Sequence, residues 1–426
     1  MSFFSGRSRS ANPDIVAILD VGSSKIVCFI GRQEVEGGIR ILGAGFHASE
    51  GLRAGVVVDM EAAENSIRHA VEKAEREAGL AISAVYVNVS TRSLRSRHIH
   101  VNTEFSNAEV ADRDLSRVID TALSEFSEPD HAILHAIPMN WTVDDERGIR
   151  DPRGMFGKQL GVDMHFVTAG VGVLRNLVHC VERCHLRVAG MIASSYAAGV
   201  GVLVEDEFDL GVTLIDMGAG ITTAAVFRDR TLAFVDAVAV GGRNVTSDIA
   251  RGLTTPFEAA ERIKAIYGSA LESPDDDGQM VPCPPMGAQD ELHHEPLTLL
   301  TSVVRSRIEE TFEILKGRFE SAGIESFSGR RIVLTGGAAQ LSGVAQLAEY
   351  TFKKRVRVGL PHGLLGLPDT MSGPDFSVAS GIIKHVFEKK HEVISGPPDL
   401  SGKRARTRRY AGGNFSKSLK WFRENF

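Results

Sequence analysis

The chain has 426 residues, 43% of them hydrophobic, so it can bury more than one core, and its length predicts two or three domains. The opening MSFFSGRSRSANPD carries charge without the apolar run of a signal peptide, and no stretch reaches the ~18 apolar residues of a membrane span; a cytosolic chain is expected. Four cysteines, Cys28, Cys180, Cys184 and Cys283, are too few for a disulfide framework at this length, which fits a reducing compartment. Net charge is −6, yet residues 391–426 hold eight Lys or Arg against three acids, a local +5 that leaves −11 on the rest. That asymmetry argues against a broad basic face for nucleic acid and points to an anionic surface met by the tail alone.

In chain order, AILDVGSSKIVCFI (17–30) reads as a buried strand ending in Asp, a small-residue turn and a second strand. The pattern recurs as TLIDMGAGITTAAV (213–226), with Asp20 matching Asp216 and Gly22 matching Gly218. Such a repeat predicts two lobes, each opening with a β-hairpin. Small residues let backbone N–H groups approach an anion with no Cβ in the way. One such hairpin is common and says little. Two in register would grip a polyphosphate from both sides, with an Asp at each strand end holding Mg²⁺ through its water shell.

Between the hairpins, the interval 90–168 is too long for a connection and carries its own strand and helix signals, RSRHIHVNTEF (95–105) and DRDLSRVIDTALSEF (112–126), so an inserted subdomain is expected. NLVHCVERCHLRVAG (176–190) reads as one amphipathic helix, its His179, Cys180, Cys184 and His185 lacking the further ligands that a zinc frame needs. After the second hairpin, AVGGRNVTSDIARGL (239–253) places Gly241 and Gly242 before a helix that Asn244 or Thr246 would cap, an anion-friendly N-terminus. Glu261 and Lys264 follow, three apart on a predicted helix, where a solvent salt bridge is the plain alternative to a ligand contact. ESPDDDGQMVPCPPMGAQDELHHEP (272–296) reads as a flexible loop. In RIVLTGGAAQLSGVAQLAEYTF (331–352) a strand is followed by Gly336 and Gly337, which allow a flat ligand to lie against the backbone, and then by a helix.

The chain closes with NFSKSLKWFRENF (414–426). At about 100° per residue, Phe415, Leu419, Phe422 and Phe426 share one narrow stripe, Lys417, Lys420 and Arg423 lie away from its centre, and Trp421 sits on the flank. That is the pattern of a helix lying in a bilayer interface; docking on the protein's own core is the alternative. The basic run from Lys403 to Arg409, between a Gly/Pro linker and this stretch, fits a membrane approach better than a nucleic-acid tract.

The order of these features resembles the actin, Hsp70 and sugar-kinase superfamily. GLRAGVVVDMEAAENSIRHAVEKAE (51–75), GIRDPRGMFGKQL (148–160), GGRNVTSDIARGL (241–253) and AAERIKAIYG (259–268) narrow the resemblance, along almost the whole chain, to the bacterial FtsA family of cell-division proteins, with the GIRDPRGMFGKQL run the most specific. The resemblance implies an α/β, actin-like two-lobed ATPase fold with duplicated RNase H-like cores, an inserted 1C-type subdomain and a C-terminal amphipathic helix. It divides the chain into an N-terminal tail (1–13), a first lobe (14–89 and 169–209), the insertion (90–168), a second lobe (210–263 and 331–390), a 2B-like subdomain (264–330), a basic linker (391–413) and the membrane-targeting helix (414–426).

The resemblance also implies ATP between the lobes, with Gly22, Ser23, Ser24 and Lys25 in the first phosphate turn and Gly218, Ala219, Gly220 and Thr222 in the second. Gly241 and Gly242 join them, Gly336 and Gly337 fall at the adenosine, Glu261 and Lys264 approach the ribose or base, and Asp20 and Asp216 position metal and water. Relatives that hydrolyse well take a Glu or Gln from the helix linking the lobes. AGMIASSYAAGVGVL (189–203) has neither, so at most slow turnover is expected. The insertion implies self-association and binding of later division proteins. The 2B-like subdomain implies the C-terminal peptide of FtsZ, which Arg305, Arg307 and Lys316 would meet unless they are ordinary solvated charges. The implied place is the inner face of the cytoplasmic membrane at the division site. A small-molecule kinase of the superfamily leaves the tail unexplained, a chaperone ATPase lacks a peptide-binding domain after residue 390, and the GMFGKQL segment argues against a pilus-assembly relative.

Overall fold

The structure is a computed structural model and describes residues 14–35, 37–105, 109–287, 291–324, 329–388 and 396–400. The stripe of Phe415, Leu419, Trp421, Phe422 and Phe426 with Lys417, Lys420 and Arg423 lies outside the described residues, as does the linker apart from 396–400.

The first lobe opens with an antiparallel meander, β1 (Ile15–Val21), β2 (Lys25–Gln33) and β3 (Ile39–Ala48). A small hairpin of β4 (Leu52–Arg53) and β5 (Val56–Val57) leads into α1 (Met60–Ala78), and β6 (Ala84–Val89) returns parallel to β1. The Asp59 carboxylate caps α1 by accepting the Ala62 N–H at 3.1 Å, and Ala63, Ile67, Ala70 and Ala74 form its buried stripe.

The insertion follows as β7 (Arg95–Glu104), α2 (Asp112–Glu125), β8 (His131–Val143), β9 (Glu146–Ile149) and β10 (Gln159–Gly170), a four-stranded sheet in the order β7-β10-β8-β9. Leu115, Val118 and Ile119 of α2 pack on Trp141, Val162 and Phe166 in a core of its own. α3 (Val171–Arg183) and β11 (Arg187–Ala193) then return to the first lobe. Here the single amphipathic helix expected over 176–190 is corrected: His185 turns the chain at φ 61, and the alternation of Arg187, Val188 and Ala189 suits a strand pairing parallel to β6.

α4 (Ser194–Val202) and α5 (Glu205–Leu210) lead to the second lobe: β12 (Val212–Met217), β13 (Thr222–Arg228), β14 (Thr231–Val238), α6 (Gly242–Gly252), α7 (Phe257–Tyr267), β15 (Met280–Cys283), β16 (His293–Pro296), α8 (Leu297–Ser321), β17 (Arg331–Thr335), α9 (Val344–Phe352) and β18 (Arg355–Val358). The loop expected at 272–296 contains the β15–β16 hairpin, because Val281 and Cys283 alternate inward into the second lobe's core. β3-β2-β1-β6-β11 and β14-β13-β12-β17-β18 have one topology, three antiparallel strands followed by two parallel ones. The sequence repeat is therefore a repeat of whole sheets.

The chain then returns. β19 (Leu364–Leu365) pairs parallel with β3, and α10 (Ser377–Glu388) packs on β1, β2 and β6. This corrects the expectation that 331–390 lies wholly in the second lobe. The apolar face of α10, Ala379, Ile382, Ile383 and Val386, has its matching surface on the first lobe, a long-range fit with no local signal. α4 packs on β12 and β13 and crosses α10. A Cβ on Gly381 would lie 1.6 Å from the Ala197 carbonyl oxygen, so the crossing that joins the lobes is backbone against backbone.

Candidate functional site

A cleft of about 810 Å³ opens between the lobes, lined by Asp20, Gly22, Ser23, Ser24 and Lys25 from the first hairpin and Asp216, Gly218, Ala219 and Gly220 from the second. The two turns are built alike. Gly22 N–H donates to the Lys25 carbonyl at 3.1 Å, and Gly218 N–H donates to the Ile221 carbonyl at 3.0 Å. A Cβ on either glycine would sit 2.8 Å from that same carbonyl oxygen. Both glycine amides thus close their own turns, and what the glycines give the cleft is space. Across the gap, Arg243 donates to the Ser23 carbonyl at 3.5 Å, and a Cβ on Gly220 would lie 2.9 Å from the Ser23 hydroxyl.

The N-terminus of α6 departs from expectation. The helix begins at Gly242, so Asn244 lies within its first turn and reaches back to accept the Gly241 N–H at 3.0 Å, while Thr246 lies deeper, bonded to the Gly242 carbonyl at 3.0 Å. Gly242 N–H donates to Gly218 O at 3.0 Å and Arg243 N–H to Ala219 O at 2.8 Å. These amides buttress the second turn. Gly242 lines the cleft, Gly241 does not but lies against the backbone of Gly218 and Ala219, and Thr222 donates instead to the Val240 carbonyl at 2.8 Å.

Glu261 and Lys264 line the cleft as a pair 2.8 Å apart, and the Lys264 ammonium also bonds Thr246 Oγ1 at 2.8 Å and Gly242 O at 3.2 Å. Their cluster ties α7 to α6. Gly336 and Gly337 also line the cleft. Gly336 takes φ 86 hard against Met217, and a Cβ there would meet Asp216 Oδ1 at 2.4 Å. The expected helix after these glycines is first a 3₁₀ turn, Gly337–Gln340; α9 starts at Val344.

Asp20 and Asp216 stand buried at the strand ends. Burial pushes each carboxyl up to about 7; the Lys25 charge opposes this at Asp20, and the nearby Asp20 adds to it at Asp216. Asn88, unmarked in the sequence, holds this floor: it accepts the Val21 N–H at 2.6 Å and donates to Asp20 at 2.7 Å and to Ser194 at 3.1 Å. A polar residue in the otherwise apolar strand AVYVNV is the signal that could have found it. Asp375, bonded to Lys25, was also missed, because it lies outside every motif. Arg305 lies 4.0 Å from Glu272 and 3.8 Å from Glu309. Arg307 is turned inward to Asp248 of α6 at 2.5 Å and to Glu310. Lys316 is half-buried on the same helix.

The family profile described as "Cell division protein FtsA" matches residues 213–381, and that of the "SHS2 domain inserted in FTSA" matches residues 91–168. Cell division protein FtsA of Rhizobium meliloti (strain 1021) is 41% identical to the chain, over 98% of this chain and 96% of that protein. The chain belongs to the FtsA family of cell-division proteins. Among solved structures, the PilM-PilN type IV pilus biogenesis complex matches with a TM-score of 0.60 at 17% identity, over 86% of this chain and 96% of that one. MreB 5 of Spiroplasma citri bound to AMPPNP matches with a TM-score of 0.52 at 12% identity, over 89% and 97%. These likenesses show the fold, and this FtsA-family chain is an actin-like, two-lobed α/β protein with an inserted SHS2 domain.

Proposed function

We propose that this FtsA-family chain is an ATP-binding adaptor that assembles at the inner face of the cytoplasmic membrane at the division site, ties FtsZ filaments to it and helps recruit later division proteins. The observation that carries the nucleotide part is the pair of matched turns facing one cleft, with a carboxyl at the end of each leading strand. The phosphate chain would lie between Ser23, Ser24 and Lys25 on one side and Ala219 and Gly220 on the other, with the adenosine toward Gly336, Gly337, Glu261 and Lys264. The MreB 5 likeness, bound to AMPPNP, supports a nucleotide in this fold.

Mg²⁺ fits the donor set. Two buried carboxyls raised to about 7 favour a divalent cation that lets both ionise, and Asp20 and Asp216 would hold it through water. Bound there, it neutralises phosphate charge. α4 presents Ser194 to the cleft and carries no carboxylate or carboxamide, which supports slow turnover and a nucleotide that acts on conformation and assembly. The membrane contact is assigned to the terminal stripe, self-association and late partners to the inserted domain, and the FtsZ peptide to the α8 subdomain. Among the described residues no helix is long and apolar enough to cross a membrane. Calorimetric titration with Mg²⁺ and ATP tests the reading: saturable binding is expected, and its absence removes the nucleotide role.

A further inference from the structure

Lys25 closes the first turn, and its ammonium donates to the carboxylate of Asp375, 350 positions further along the chain. The same ammonium lies 3.1 Å from the centroid of the Phe376 ring. Consecutive residues therefore hold the lysine head, one through charge and one through an aromatic face. Phe376 is buried and packs edge-on against Phe46 of β3, 6.0 Å between centroids, so this holder is fixed in the core. Asp375 lines the cleft beside the paired glycines: Gly336 N–H donates to the Pro374 carbonyl at 3.0 Å, and a Cβ on Gly337 would lie 3.7 Å from the Asp375 Cβ. An anion reaching the first turn meets Lys25 already paired, with a carboxylate next to it.

We propose that Asp375 sets the affinity of the cleft: it is an internal carboxylate that competes with a polyphosphate for the Lys25 ammonium. The proposal rests on the nucleotide reading above. Its chemistry is an exchange of ion-pair partners in which no covalent bond changes. A phosphate that takes the ammonium frees Asp375, which stands two residues before α10, the helix that crosses α4 at the joint between the lobes. Filling the cleft thereby releases a link between the first turn and that joint. Competition by a fixed carboxylate also makes affinity depend steeply on ligand charge, so ATP gains over AMP by more than its extra contacts.

The test is a calorimetric cycle with Mg²⁺ and ATP on the full chain, comparing the parent protein, Asp375→Asn, Lys25→Ala and the double variant. Asp375→Asn is expected to tighten binding about tenfold, a difference of about 1.4 kcal/mol. Lys25→Ala is expected to weaken it, and the Asn substitution to add nothing in the Lys25→Ala background, because the contested ammonium is gone. Asp375→Ser is measured alongside, so that a folding defect peculiar to one substitution does not decide the result. Unchanged or weaker binding by both Asp375 variants overturns the proposal. So does a gain that persists without Lys25, which would mean plain repulsion of the phosphates. If the parent protein binds no ATP, the nucleotide reading falls and this falls with it; if it binds and both Asp375 variants match it, only the competition is lost.

Discussion

At the scale of single residues, the two matched turns are held by the same backbone bond and leave the same lack of room at the same glycine. Gly218→Val places a branched side chain where even a Cβ would be 2.8 Å from the Ile221 carbonyl oxygen, so the turn must open and its two following residues must move. ATP affinity is expected to fall at least tenfold, with a melting temperature lowered by only a few degrees, since one hairpin turn carries little of the core. An unaltered calorimetric isotherm for this variant would mean that the second turn does not hold the ligand. The carboxyls behave differently. Asp20 and Asp216 are both raised to about 7, from an ordinary 3.8. Between those values the folded chain binds more protons at these two sites than the unfolded one, so their contribution to stability is full below about pH 4 and is lost as pH rises through about 7. Asp216→Asn removes one of the two charges that must be buried. Without nucleotide, it is expected to melt on the order of 2–4 °C above the parent at pH 8 and to match it near pH 4. Adding Mg²⁺ and ATP should raise the parent more than the variant. A variant that melts lower than the parent at pH 8 would count against burial as the cause.

At the scale of elements, the hairpins, the insertion and the strand before Gly336 were legible because each is a local pattern: a buried run, a small-residue turn, a change of period. What was illegible depends on distant partners. α10 is an apolar helix wherever it sits, and only its fit against β1, β2 and α4 places it with the first lobe. The α6 N-terminus read as an anion site because the sequence does not reveal that the Gly218 and Ala219 carbonyls already occupy its amides. Among site residues, Asp20, Asp216 and the turn residues follow from the repeat, whereas Asn88 and Asp375 reach the cleft through strand pairing and chain return. The same distinction divides the basic residues of α8. Arg307 binds Asp248 of α6 and Glu310, so Arg307→Glu is expected to cost about 1 kcal/mol of stability, the discounted value for a partly exposed pair, and to disturb the α6 contact. Among the described residues, Arg305 is held by loose pairs near 4 Å. Arg305→Glu with Lys316→Glu is therefore expected to leave the denaturation midpoint within error and to weaken binding of the acidic FtsZ peptide several-fold at low salt. Peptide affinity that survives the double reversal would place the contact off this helix.

At the scale of the whole molecule, the inserted domain is not an independent bead. The Val235 N–H of β14 donates to the Ser96 hydroxyl at 2.8 Å, and His165 donates to the Leu232 carbonyl at 2.8 Å, its ring held neutral because burial pushes it down to about 3. These bonds run from the insertion to the edge strand of the second lobe, so the domain proposed for self-association touches the lobe whose turn lines the cleft. Described residues 396–400 lie on the first lobe, where Arg175 donates to the Leu400 carbonyl at 2.8 Å. The membrane affinity proposed for the stripe at 415–426 rests on its sequence. Fully burying Phe415, Leu419, Phe422 and Phe426 contributes at most about 6–12 kcal/mol at ~1.5–3 each. Lys417, Lys420 and Arg423 add roughly 1 kcal/mol each near an anionic leaflet, against the ordering of linker and helix. A single tail should bind reversibly and an assembly of many should hold firmly. Deletion after Gly413, or Phe422→Glu, is expected to release the protein from anionic vesicles in co-sedimentation while ATP binding stays unchanged. The chain has two tryptophans, and Trp141 is buried in the inserted domain. In a Trp141→Phe background, Trp421 emission should shift to the blue when anionic lipid is added and stay fixed with neutral lipid at high salt. Vesicle binding that persists after truncation would move the membrane contact onto the folded lobes.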